Sequence, residues 1–182
     1  MDNLLTISDF TGVFNIPNKT GVDVSDNLDA LVTQLQTPFL VEFLGADLYA
    51  DMVSDCSTSI PEKWELLFDG ETVEISEHKY VFRGLKESFR AYVYYHWLVL
   101  AVRPVAGIGM IKPMAENGTP ISVEWSLANT WNYYLECRQC DMFSSNYISA
   151  EAYVNAKNDE DPTTFPKFLM TWDSPLNPLV TW

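Results

Sequence analysis

The stretch LKESFRAYVYYHWLVLAVR, residues 85–103, decides how this chain is read. It predicts one long helix whose character changes part-way along. Lys86, Glu87 and Arg90 leave its first turns a wet face. From residue 91 to 102 only His96 interrupts an apolar or aromatic run. A helix apolar on every side must be covered on every side, by a large core, a bilayer or another subunit. A chain of 182 residues has little room to wrap a helix completely, so the stretch points to an assembly. Tyr92, Tyr94 and Tyr95 are therefore candidate interface residues, with an outward-facing tyrosine expected among them.

The bilayer reading is the weaker one. Extending the stretch to Ile111 reaches a spanning length only by including Arg103 and Pro104, with His96 near the middle. Arg103-Pro104 reads as a helix end, because proline cannot continue a helix and disfavours it one residue earlier. The clean apolar run is about half a span, which suits a buried helix. No basic segment followed by an apolar one opens the chain, so secretion is not expected either.

Composition is that of one globular unit, with 47% hydrophobic and 20% charged residues. The aromatic share of 14% suits interfaces as well as cores. A net charge of −14 with a pI near 4.3 argues against gripping a nucleic-acid backbone, which requires Lys and Arg. Three cysteines, an odd number, read as reduced thiols in a cytoplasmic setting.

The charge is unevenly spread. Residues 20–77 hold 13 acids and one base, Lys63. Residues 78–112 reverse the sign, with six bases (Lys79, Arg83, Lys86, Arg90, Arg103, Lys112) against Glu87. Two such segments can fold onto each other within a subunit, or form the unlike patches of a head-to-tail interface that closes into a ring. Arg83, Lys86 and Arg90 are interface candidates on the second reading. A solvated acidic surface that keeps the chain soluble is the plainer alternative.

Along the chain, LLTISDF predicts a short lead-in strand and a helical turn capped by Thr6 or Ser8. Apolar positions 28, 31, 32, 35, 39, 40 and 43 predict a helix capped by Ser25 or Asp26. Thr37-Pro38 predicts a kink or restart within it, and Gly45 a break before a short helix carrying Leu48, Tyr49 and Met52. A further helix runs from Pro61 to Phe68 and stops at Asp69-Gly70. Residues 72–75 and 79–83 predict a hairpin turning at Ser76-Glu77-His78. Gly84 precedes the long helix, and residues 105–120 read as a linker or extended arm. Helical spacing returns over 123–143 and again over 149–157. The expected organisation is thus mainly α: a helical bundle with a small β-hairpin over residues 1–158, and an extended docking arm over 159–182. That arm holds four of the ten prolines yet keeps Phe165, Phe168, Trp172 and Trp182, which a disordered tail would lack. Those four aromatics complete the interface candidates.

Catalytic chemistry finds no footing. His78 falls in the hairpin turn and His96 in the apolar helix, where a hydrogen-bonded core role is the simpler one. No GxSxG, GxGxxG or GxxxxGK[ST] pattern occurs. Cys137-Arg138-Gln139-Cys140 has metal-like spacing but lacks a second pair, and i, i+3 cysteines on a helix pack as small hydrophobes. No enzymatic activity, metal or cofactor is expected.

The order of elements resembles that of the head–tail connector (adaptor, or head-completion) proteins of tailed bacteriophages, in their Bacteroides-phage form. The segments that carry the likeness are LLTISDF, NLDALVTQLQTPFLVEFLGADLY, IPEKWELLFDGETVEI, YVFRGLKESFRAYVYYHWL and GIGMIKP, within residues 4–134. Pro38 and the aromatic tail depart from that pattern. The resemblance implies a virion protein made in the host cytoplasm, in a ring of about twelve copies. It would sit between the portal and tail or further ring proteins, at the head–tail junction. DNA would pass through without specific binding, and carboxylates lining the channel would repel its backbone and let it slide. The rival expectation is an acidic adaptor or inhibitor that mimics nucleic acid before a basic protein partner. An enzyme with an unrecognised carboxylate site is a third.

Overall fold

Helix α1, Val22–Leu44, turns a face of Leu28, Val32, Phe39, Leu40, Phe43 and Leu44 inward, and these side chains form one wall of the core. The computed structural model describes residues 3–102, 105–106, 109–110, 123–139 and 146–162. Gly45, at φ 79°, ends α1 and admits the short helix α2, Ala46–Asp55. Helix α3, Glu62–Asp69, follows Pro61 and stops at Gly70. Strands β1, Glu71–Ile75, and β2, His78–Phe82, form the expected antiparallel hairpin. Its turn is the pair Ser76-Glu77, both at positive φ, the geometry that matches strand twist. The long helix α4, Leu85–Val102, and helix α5, Val123–Gln139, follow, with a two-residue ladder of β3, Val105–Ala106, and β4, Gly109–Met110, between them. Strand β5, Tyr147–Ile148, and helix α6, Ala150–Glu160, complete the described chain.

Helices α1, α4 and α5 form the body. Tyr95 meets Trp131 at 5.0 Å and Tyr133 reaches back to Glu87, so α4 and α5 run antiparallel. Phe39 of α1 contacts Phe89 and Tyr92 of α4 at 4.8 and 5.6 Å. On the other side, α6 caps the sheet, with the Tyr153 ring stacked on Phe82 at 4.2 Å. The fully buried residues Trp64, Phe68, Phe10, Phe89 and Tyr153 tie the layers into one core.

Four local expectations are corrected. No restart occurs at Thr37-Pro38: α1 runs through it. Pro38 lies on the exposed side, and the buried residues 39, 40, 43 and 44 beyond it outweigh the roughly 3 kcal/mol that an interior proline costs. The helix starts at Val22 after Gly21, not at a Ser25 or Asp26 cap, and Ser25 Oγ donates to the Val22 carbonyl at 2.9 Å. Residues 4–5 form no strand; Leu5 is buried and the Leu4 amide donates to Gln36 Oε1 at 2.6 Å. The hairpin gains an unexpected third strand, β5, which runs parallel to β2. The capped turn survives as a 3-10 helix, Ile7–Asp9, closed by Thr6 and Asp9. The expected arm from residue 163 onward, most of the 105–120 linker and the last turn of the 123–143 helix lie outside the described residues. The boundary at 158/159 is not a structural break, because α6 continues to Glu160.

Candidate interaction surface

One stripe of α4 carries the information. Phe89, Val93, Trp97 and Leu100 follow at spacings of four, four and three residues, along a single helical face. Phe89 and Val93 are fully buried. Trp97 is only partly covered, and Leu100 is 61% exposed. The core stripe outruns its cover. Beside it, Asn27, Ala30, Leu31 and Gln34 of α1 form the facing wall of an open groove of about 460 Å³, with Trp97 and Leu100 opposite. At the start of α5 Trp125 is also largely exposed. The described residues therefore do not enclose this helix as far as Leu100 in the way a helix apolar on all sides requires.

The tyrosines divide by helical phase. Tyr95 is 7% exposed and packs on Trp131, so it faces inward and is not the outward aromatic expected. Tyr92 is partly buried among Phe39, His96 and Tyr134. Tyr94 is partly exposed, with Phe14 at 5.5 Å and Trp97 stacked at 6.0 Å. Burial raises the pKa of Tyr92 and Tyr94 and lowers that of His96. Leu100 and Trp97 were detectable in the sequence only as members of the apolar run; their exposure depends on where α1 leaves them.

The basic candidates are already engaged within the subunit. Lys86 Nζ meets Asp69 Oδ1 at 2.6 Å, joining the two oppositely charged segments in one copy. Arg83 lies over the rings of Tyr147 and Tyr133 at 4.0 and 5.1 Å, with Nη1 3.6 Å from Glu136. Arg90 pairs with Glu87, donates to the Asp9 carbonyl at 3.1 Å and covers the Phe14 ring. Each of the three thus has a partner within its own subunit: Asp69 for Lys86, Glu87 for Arg90, and Glu136 with two tyrosine rings for Arg83. Tyr133 donates to Glu87 at 2.7 Å, and burial together with that bond pushes its pKa up. Burial likewise pushes Tyr134 up to about 12.

The acids are different. Of the 13 acids in residues 20–77, Glu42, Asp55, Asp69 and Glu71 pair with described bases. Asp23, Asp26, Asp29, Asp47, Asp51, Glu62, Glu65, Glu74 and Glu77 are all exposed. Lys63 and Trp64 both donate to the Asp55 carboxylate and hold its pKa below the ordinary value.

A second cavity of about 420 Å³ lies between Cys56, residues 57–60, Phe68 and Lys86. Burial raises the Cys56 and Cys137 thiol pKa values, and both sulfurs pack as neutral groups. Cys140 lies outside the described residues, as do Phe165, Phe168, Trp172 and Trp182. Among the described residues no three His, Cys, Asp or Glu side chains converge as metal ligands, and no helix is long and apolar enough to cross a membrane. No family model matches the chain, and no match was found among curated proteins or solved structures.

Proposed function

We propose that this protein is a ring-forming head–tail connector subunit of a tailed-phage virion, joining the portal to the tail and lining the DNA channel. The observation that carries the reading is the stripe on α4. A core face that continues into solvent at Trp97 and Leu100 is stable when a further protein surface covers it. The nine exposed carboxylates supply the second element, a surface that repels a DNA backbone. The resemblance of residues 4–134 to connector proteins supports reading the assembly as a ring mounted on a portal.

Cryo-electron microscopy of the purified protein, alone and in virions, tests this. A closed ring at the head–tail junction is the expected outcome, with no retention of duplex DNA at low salt. A stable monomer missing from particles would sink it, as would tight, salt-sensitive DNA binding. The exposed acids also support a second reading, an acidic adaptor that mimics nucleic acid before a basic protein. A monomer or dimer holding such a partner tightly would favour that instead.

A further inference from the structure

We infer that the cavity between residues 3–4, the loop joining α2 to α3, and the start of α4 is a binding site for a small monocarboxylate with an apolar body. The cavity measures about 420 Å³, within the range of small-molecule sites. Four separate parts of the chain build it: Asn3 and Leu4, the loop after α2, Phe68 of α3 and Lys86 of α4. The first of these is pinned to α1. Asn3 Nδ2 donates to Thr33 Oγ1 at 3.0 Å, and the Leu4 amide to Gln36 Oε1 at 2.6 Å. That wall is held in place before a ligand arrives, which lowers the ordering cost of binding.

The wall has two characters. Leu4, Cys56 and Phe68 are buried and give an apolar floor. Ser57, Thr58 and Ser59 add hydroxyl groups, and Lys86 is the one charged side chain among the described lining residues. In a chain of net charge −14, a cavity whose charge is a single cation favours an anion. The Lys86 ammonium has three donors, and Asp69 Oδ1 takes one at 2.6 Å. Two remain for a ligand carboxylate, and a charge-assisted bond of this kind is roughly twice as strong as a neutral one. One ammonium shared with Asp69 suits a single negative charge better than a phosphate dianion, which calls for more cations. The floor takes the carbon body of the same ligand. Every wall belongs to one subunit, so occupancy requires no assembly and is independent of the connector reading.

Isothermal titration calorimetry of the full chain with 4-phenylbutyrate tests the site, with 4-phenylbutanol and 4-phenylbutylamine as its neutral and cationic counterparts. One phenylbutyrate should bind per chain, with the alcohol weaker by about tenfold and the amine weaker still. Lys86→Met should lower phenylbutyrate affinity by about tenfold and leave that of the alcohol unchanged. Asp69→Asn should raise it by about threefold, because the ammonium loses a competing carboxylate. A lysine that serves only to join α3 to α4 would not give these opposite signs. Bound phenylbutyrate should also slow alkylation of Cys56 by N-ethylmaleimide, read by peptide mass spectrometry, which locates the ligand. Ser59→Trp, at an exposed position, should fill the space and abolish binding while the helical circular dichroism signal is retained. Absence of both heat and Cys56 protection at about millimolar phenylbutyrate would overturn the inference. So would equal binding of acid, alcohol and amine, or binding that survives both Lys86→Met and Ser59→Trp.

Discussion

Gly70 and Gly84 lie against each other where the hairpin meets its flanking helices. A Cβ on Gly70 would stand 2.3 Å from the Phe82 carbonyl oxygen and 2.7 Å from the Gly84 nitrogen. One on Gly84 would stand 2.4 Å from the Phe68 oxygen and 2.6 Å from the Gly70 nitrogen. Both residues have positive φ, at 87° and 81°. Two backbones cross with no space for side chains, so the FDG and RGLK segments meet in one structural joint. Gly70→Ala or Gly84→Ala should each cost at least about 2 kcal/mol, combining left-handed strain with displaced backbone. Urea unfolding measures this; a loss below 1 kcal/mol would mean the joint yields easily.

A buried guanidinium holds α5 to α1. Arg138 is 6% exposed and its Nη1 donates to Glu42 Oε1 at 3.0 Å and lies 3.2 Å from the Tyr134 hydroxyl. Glu42→Gln should destabilise by about 1–3 kcal/mol, because it takes a charged acceptor away from a buried guanidinium. Adding Arg138→Met should restore much of that loss, since an apolar pair avoids the desolvation cost. Equal destabilisation by the single and double variants would show that the pair itself, and not the desolvation of the guanidinium, matters.

His96 couples stability to pH. Burial lowers its pKa below the ordinary 6.5. At pH values between the two pKa values the unfolded chain binds the extra proton, so stability rises with pH across that window and falls as pH drops below about 6.5. Melting temperature between pH 7.5 and 5.5 should therefore fall more steeply for the natural chain than for His96→Gln. Matching slopes would mean the imidazole is solvated in the fold.

Salt distinguishes apolar from ionic assembly. Among the described residues, Arg83, Lys86 and Arg90 each have partners within the subunit, so apolar contact is expected to dominate assembly. Assembly should survive 1 M salt, where the Debye length is about 3 Å, and should be lost in Leu100→Glu. The same substitution should change monomer unfolding by less than about 0.5 kcal/mol, because position 100 is exposed. Light scattering across a salt series reads both; dissociation at high salt would return weight to charge pairing.

Local chemistry made much of this protein legible in one dimension. Gly45, Gly70 and Gly84 stop or separate elements because their backbone takes a conformation other residues avoid, and each boundary was visible as punctuation. Periodicity marked α1 through α5, and alternation marked the hairpin, since burial on one face repeats at the period of the element. Other features depend on contacts between distant positions and left no local mark. Pro38 stays helical because Phe39, Leu40, Phe43 and Leu44 are buried, with Phe39 against α4 and α5, a gain that no window around the proline records. Strand β5 is two residues long and exists only because β2 offers a free edge. Tyr94 and Tyr95 are neighbours of the same type, and only the placement of α5 puts one inside and leaves the other half open. The same holds for charge: sequence set the number and order of acids and bases, while the fold chose Asp69, Glu87 and Glu136 as partners. The long apolar helix was evident from its residues. Where its cover ends, at Trp97 and Leu100, was decided by how α1 crosses it, because burial belongs to the packed whole and not to the segment.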